Sequence, residues 1–212
     1  MILKDDNFAT IVEAVKEGRV IFDNIRKVVF FLLSSAAGFV TFIIASLLLR
    51  LPLPFLASQV LWVNLVTNGL QDIALAYEPG EKDIAERPPR DPRESIINKF
   101  LLGRLMIVGI TIAAGTMFMF TRYLNSGVDL SHARTVAFNT VVFFQFFHVF
   151  NSRSFNRSVF VMNPLRNIFL FVAIILALLA QMAVIYWPPL QYVFKTVPIS
   201  AGTWAEIIAV SA

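Results

Sequence analysis

The sequence predicts an all-α fold, a polytopic transmembrane helical bundle with five complete spans and the truncated start of a sixth. Of the 212 residues, 57% are hydrophobic and 15% are charged, and the mean hydropathy is +0.70, which is too apolar for a soluble domain. Two charge-free stretches, Val28 to Leu49 and Ile168 to Trp187, exceed the roughly 18 apolar residues typical of a membrane span. The absence of cysteine excludes a disulfide framework and thiolate metal ligands.

The first element is a short amphipathic helix ahead of the spans. Apolar residues recur at helical spacing, and Asp6 or Asn7 could cap the helix while Gly18 could stop it. We therefore expect a short cytosolic or interfacial helix, whose apolar face consists of Phe8, Ile11, Val12 and Val15.

Five apolar segments follow, each long enough to be read as a span. They are Val28 to Leu49, Phe55 to Tyr77, Phe100 to Leu124, Thr135 to Asn151, and Ile168 to Trp187. A sixth begins near Thr203, but the chain stops at Ala212, too early to cross a membrane. We expect the sequence to be cut within a helix. Within the first span, Ser34 and Gly38 form a small-residue face that favours close helix packing.

Lysine and arginine predict the orientation. Thirteen of the 18 lie before the first span, between the second and third, or between the fourth and fifth, and Arg104 lies one turn into the third span on the same side, leaving Arg50, Arg122, Arg134 and Lys195 on the other side. The positive-inside rule therefore places the amino terminus in the cytoplasm. The net charge of +4 is explained by topology, and no basic stretch with interleaved aromatic residues predicts nucleic acid as a partner.

One carboxylate, Asp72, lies inside an apolar span, where an ionisable group costs at least about 2.5 kcal/mol. Asn64, Asn68 and Asp72 recur at every fourth residue, which would stack their oxygens along one helix face beside Thr67 and Gln71. The Asn68–Gly69 pair would break the helix and free carbonyl groups. An ion or solute path is one interpretation. Hydrogen bonding between helices is the other.

Further polar groups in the spans have less specific interpretations. Gln145 and His148 in the fourth span could reach the same cavity, although His148 could equally be a buried imidazole with a structural partner. Arg104 is expected to extend back to the cytoplasmic surface. No phosphate-binding loop, zinc-ligand spacing or nucleophile–base pair occurs in the sequence, so no catalytic or cofactor-binding residue is predicted.

Several ordered segments resemble the carboxy-terminal transmembrane portion of type II P-type cation-transporting ATPases, the calcium and sodium/potassium pumps. The stretch from LKDDNF to FFLLSS is similar to the end of the family's phosphorylation domain, the stalk and the fifth helix. QVLWVNLVTNGL resembles the sixth helix and DIAERPPR the loop after it. HARTVAF with FNSRS, and then NPLRN to TW, are similar to the eighth to tenth helices.

The resemblance implies two parts: residues 1–27, the end of the cytosolic phosphorylation domain and stalk, and residues 28–212, helices five to nine with the start of ten. It also implies missing partners, namely the nucleotide-binding, phosphorylation and actuator domains and helices one to four. ATP and magnesium would be bound by the intact pump, in the plasma (inner) membrane. This piece, which lacks the D-K-T-G-T and T-G-D-G-x-N-D motifs, would not hydrolyse ATP alone. A non-enzymatic channel or membrane scaffold is the alternative.

The family's calcium ligands are matched only in part. The fifth-helix Asn and Glu positions are Ala36 and Phe39, and the sixth-helix Asn, Thr and Asp read Asn64, Thr67 and Asn68. The eighth-helix Glu is Gln145. The expected cation ligands are therefore Asn64, Thr67, Asn68, Asp72 and Gln145, with a Glu and unwound carbonyls from the missing fourth helix. The loss of carboxylates favours a monovalent ion or a proton over two calcium ions.

Overall fold

The computed structural model describes residues 8–81, 83–88, 95–155, 158–159 and 161–212, and these residues form helices and connecting turns without a β-strand. The fold is therefore all-α, as predicted. The helices are α1 (Phe8–Leu48), α2 (Ala57–Trp62), a π segment (Val63–Asn68), α3 (Gly69–Ala76), α4 (Lys99–Asn125), α5 (Leu130–Ser152), a 3₁₀ turn (Pro164–Arg166), α6 (Ile168–Tyr186), α7 (Pro188–Phe194) and α8 (Ala201–Ser211).

The second apolar segment forms one helical run, made of α2, the π segment and α3. Val63 and Gly69, at the two junctions, both have right-handed helical dihedral angles. The predicted break at Gly69 is therefore wrong, because the backbone changes its winding without leaving the helix. At about 1.5 Å per residue the run is about 30 Å long, close to the thickness of a bilayer core.

Helix α1 is much longer than predicted, because the expected stop at Gly18 does not occur. A helical glycine costs only about 1 kcal/mol, and α1 continues through it. The next residue, Arg19, donates from Nη1 to the carbonyl oxygens of Ile84 at 2.9 Å, Ala85 at 3.1 Å and Arg87 at 2.8 Å. These bonds attach the helix to the loop that follows α3. The proposed caps at positions 6 and 7 lie outside the described residues.

Helices α1 and α4 pack closely where a glycine of each meets the other. A Cβ atom placed on Gly38 would lie 2.7 Å from Ile112 Cβ and 3.0 Å from the carbonyl oxygen of Gly109. One placed on Gly109 would lie 3.2 Å from Ala37 Cβ. The predicted close packing at Gly38 is confirmed, whereas Ser34 contacts α5 instead.

Among the described residues, three helices are long and apolar enough to cross a membrane: α1, α4 and α6. Large apolar side chains cover much of their outer surface. Ile175 and Leu179 of α6 are 53% and 61% exposed, whereas Ala173 and Ala177 of the same helix are buried. An apolar exterior of this kind suits lipid rather than water.

Candidate cation site

The π segment changes which side chains of the helical run face the protein interior. A π-turn contains one more residue than an α-turn, so the fourfold spacing of the sequence no longer keeps side chains on one face. Asn64 is exposed, and its Nδ2 donates to the carbonyl oxygen of Val60 at 3.0 Å. Thr67 and Asn68 are buried, and Asp72 is half-buried. The predicted stacking is therefore wrong for Asn64, whose role as a ligand stays a prediction.

Two of the predicted ligands, Thr67 and Gln145, are in direct contact. Thr67 Oγ1 lies 2.9 Å from Gln145 Oε1 and 2.6 Å from the carbonyl oxygen of Val63, and both side chains are buried. A hydroxyl group has one proton and can donate to only one of these oxygens at a time. Whichever oxygen receives the proton, the other buried oxygen does not receive it and can bind another group. Oxygen atoms of this kind are the ligands that hard cations prefer.

Unpaired polar atoms cluster next to this contact. In the described part of the chain, seven buried side-chain nitrogen and oxygen atoms lack a hydrogen-bond partner. Four of the seven are Asn68 Oδ1, Gln71 Oε1, Gln71 Nε2 and Asp72 Oδ1. Buried polar groups are nearly always paired in proteins, and each unpaired group costs about 1–3 kcal/mol. Binding of a polar ligand would therefore lower the free energy of the protein more at this stretch of the helical run than elsewhere in the described part of the chain.

His148 lies on α5, next to α1. The hydroxyl of Ser34 donates to the carbonyl oxygen of Phe30 at 2.6 Å. His148 Nε2 lies 2.6 Å from Ser34 Oγ, and the tautomer of the imidazole determines which of the two donates. The Phe30 and Phe31 rings lie 5.5 Å from the imidazole. His148 thus has a structural partner on one side, while Nδ1 is buried without one.

The carboxy-terminal end of α3 is held by a buried ion pair that the sequence did not reveal. Arg153, just after α5, donates to Glu78 from Nε at 3.0 Å and from Nη2 at 2.9 Å. The two side chains are 1% and 5% exposed. Asn167 donates to the Glu78 carboxylate at 2.7 Å and to the carbonyl oxygen of Ala74 at 3.0 Å. The only signal in the sequence was that charges directly follow the second and fourth apolar segments.

Helix α1 caps the same end of α3. Asn24 donates from Nδ2 to the carbonyl oxygens of Ala76 at 3.0 Å and Glu78 at 2.7 Å, and it accepts from Lys27 Nζ at 3.2 Å. These carbonyl groups have no partner within the helix, so side chains from other helices satisfy them. The end of α3 is therefore fixed by groups from α1, the α5 terminus and the start of α6.

The loop after α3 is tied down by a second, more exposed set of charges. Arg87 contacts Asp23 at 2.7 Å and Asp83 at 3.1 Å, and it also pairs with Glu81. The hydrogen bond with Asp83 raises the pKa of Arg87, together with the charges of Asp23 and Glu81. The guanidinium group therefore stays charged and links α1 to the loop.

The opposite end of the helical run is held by a fully paired polar chain. Trp62 Nε1 donates to Gln181 Oε1 at 2.8 Å, and Gln181 Nε2 donates to Asn139 Oδ1 at 2.9 Å. Asn139 in turn donates to the carbonyl oxygen of Thr135 at 2.7 Å. The start of the π segment is thereby fixed relative to α5 and α6.

Comparison with known proteins identifies the family. The sequence profile described as "Cation transporting ATPase, C-terminus" matches residues 52–212. The chain belongs to this family. It is 43% identical to a protein named "Calcium-transporting ATPase" of Bacillus subtilis, over 100% of this chain and 24% of that relative. It is 36% identical to "Probable cation-transporting ATPase F" of Mycobacterium tuberculosis, over 100% of the chain and 23% of the relative.

A human relative, "Calcium-transporting ATPase type 2C member 1", is 38% identical over 94% of this chain and 22% of its own length. The chain therefore spans about a quarter of the length of the cation-transporting ATPases that it matches. The resemblance drawn from the sequence is confirmed, and a channel or scaffold is not favoured.

Family membership gives meaning to two positions of α1. The resemblance assigns the family's Asn and Glu ligand positions to Ala36, which is exposed, and Phe39, whose ring stacks on Phe55 with centroids 4.7 Å apart. Neither side chain offers an oxygen atom. In the described part of the chain, no three acidic, histidine or cysteine side chains come together. Among the described residues, the candidate site therefore offers amide and hydroxyl oxygens and one carboxylate, that of Asp72.

Proposed function

We propose that this chain is the carboxy-terminal transport domain of an ATP-driven P-type cation pump. Thr67, Asn68, Asp72 and Gln145 bind the transported cation in this proposal, with Asn64 facing helices that lie outside the chain. The observation that carries it is the group of unpaired buried oxygens of Asn68 and Asp72 beside the contact between Thr67 and Gln145.

The proposal includes five complete spans. Helices α1, α4 and α6 supply three of them. The run from α2 to α3 and helix α5 supply the other two, and α8 begins a sixth. Residues 1–27 are the end of the phosphorylation domain and the stalk, and residues 28–212 are the membrane part. The distribution of lysine and arginine supports a cytoplasmic amino terminus, in the plasma (inner) membrane.

In the intact pump, ATP and magnesium are held by domains outside this chain. Hydrolysis proceeds there through an aspartyl phosphate, and the residues of this chain contribute cation ligands instead. The names of the Bacillus and human relatives suggest calcium. The small number of carboxylates suggests a monovalent ion or a proton, because affinity for a divalent cation depends on ligand charge.

The proposal is tested by cation-stimulated ATPase activity of the intact pump carrying Asp72→Asn. We expect this change to weaken cation affinity or abolish stimulation by more than Thr67→Ala does, since it removes the only charged ligand of the site. Asp129→Asn, which removes a carboxylate at the start of α5 outside the site, is the matched control. Titration with calcium, sodium, potassium and protons identifies the ion. Wild-type cation and pH dependence in the Asp72 variant would refute the assignment.

A further inference from the structure

We infer that Gln71 is a further ligand of the transported cation and determines the ion selectivity of the site. With this ligand, the binding site lies one helical turn closer to the cytoplasm. This inference rests on the proposed function. Gln71 does not correspond to any ligand position that the family resemblance supplied. The cation concerned is a dehydrated hard ion that prefers oxygen ligands, since the group that Gln71 offers is an amide oxygen.

The burial of Gln71 is the first argument. Its side chain has no exposed area, and neither its Oε1 nor its Nε2 has a hydrogen-bond partner. A surface glutamine can pair with water, and a structural one pairs with a neighbouring helix, as Gln59 and Gln181 do. Gln71 differs from these two because both ends of its amide are unpaired.

The position of Gln71 is the second argument. Thr67 and Gln71 are both fully buried, so Gln71, four residues further along the run, continues the buried stripe that begins at the contact between Thr67 and Gln145. On the cytoplasmic side of Gln71, the buried Ala74 and Leu75 pack with residues of α1, α5 and α6. The amide is thus enclosed where four helices meet.

The neighbours of Gln71 in sequence supply the remaining oxygens. Asn68 Oδ1 and Asp72 Oδ1 are buried and unpaired like the Gln71 amide, and they flank it on the same stretch of helix. Two amide oxygens and a single carboxylate would replace part of the hydration shell of a cation while adding only one negative charge. Because Gln71 adds an oxygen ligand without adding negative charge, it would limit the charge of the cation that the site binds.

The test measures equilibrium binding of radioactive calcium, sodium and rubidium, the last as a substitute for potassium, to the purified intact pump. Gln71→Leu is compared with Thr116→Val, because Thr116 is equally buried and equally unpaired but lies on α4. We expect Gln71→Leu to weaken cation binding about tenfold, as the loss of one buried polar ligand does. The control should keep wild-type affinity. Equal affinity in a folded Gln71→Leu variant would overturn the inference.

A second variant, Gln71→Glu, decides the question if Gln71→Leu does not fold. It keeps the shape of the side chain and adds a carboxylate, so the affinity for calcium relative to sodium should rise about tenfold or more. An unchanged ratio overturns the inference. If Asp72→Asn or Thr67→Ala weakens binding while both Gln71 variants behave as wild type, only this inference fails. If none of these variants changes binding, the proposed function fails as well.

Discussion

Breaking the buried ion pair at the end of α3 should strongly destabilise the protein. Arg153→Met would leave the Glu78 carboxylate, 5% exposed, with Asn167 as its remaining hydrogen-bond donor. Removing one partner of a buried pair costs about 3–5 kcal/mol, because the other charge stays buried without compensation. Glu78→Leu should also destabilise the protein, since it removes the buried carboxylate with which the guanidinium group of Arg153 pairs.

The double variant should be more stable than either single one. With both charges removed, the main loss is one hydrogen bond of Asn167, whose unpaired N–H costs about 1–3 kcal/mol. The two changes should therefore be strongly non-additive. The free energy of unfolding, measured by denaturant titration of the four proteins in detergent micelles, gives the coupling through a double-mutant cycle.

The exposed pair between Arg122 and Glu206 provides the matched control. These side chains are 55% and 40% exposed, and such pairs contribute little to stability because water and salt screen them. Arg122→Met should therefore leave the unfolding midpoint close to that of the wild type. If Arg153→Met changed the unfolding midpoint as little as Arg122→Met, the prediction that the buried ion pair between Arg153 and Glu78 stabilises the fold would be refuted.

Two further predictions concern packing and ligand binding. Gly38→Ala should destabilise the chain by about 1–3 kcal/mol through overpacking, because its new Cβ would lie 2.7 Å from Ile112 Cβ. Gly103→Ala is the control and should not destabilise the chain, because no atom lies within 4 Å of the added Cβ. Equal unfolding midpoints for the two variants would contradict the prediction. The purified 212-residue chain should bind calcium, sodium and potassium weakly or not at all, because the family resemblance assigns further ligands to a fourth helix outside it; a micromolar dissociation constant in calorimetric titration would contradict this.

The sequence predicted the ends of two apolar helices well because those ends are set locally. The predicted third and fifth spans differ from α4 and α6 by one residue at an end or less, since the side chains of Asn98 and Asn167 cap their first turns. The fourth span was predicted to begin at Thr135, five residues after α5 begins at Leu130. The end of the first helix was misjudged because Gly18 is a weak stop. Its cost is offset by bonds from Arg19 to the loop near Ile84, which are distant in sequence.

The candidate site could be predicted only in its composition. Oxygen-bearing residues around Asp72 were visible in the sequence, but their directions were not, because the π segment depends on how the helix packs. Gln71 was indistinguishable from its neighbours until its burial was known. The pairing of Glu78 with Arg153 and Asn167 joins residues far apart along the chain, and no local pattern indicates such contacts.

The distribution of paired and unpaired groups along the run from α2 to α3 separates the two interpretations of its polar residues. At one end, Gln59 and Trp62 are hydrogen-bonded to neighbouring elements. At the other, the carbonyl groups of α3 and the Glu78 carboxylate are all satisfied. If the polar residues served only to join helices, the middle of the run should be paired in the same way. Instead, the side chains from Asn68 to Asp72 hold most of the unpaired buried atoms in the described part of the chain. A helix fixed at both ends and unsatisfied between them supports a ligand site rather than a structural contact.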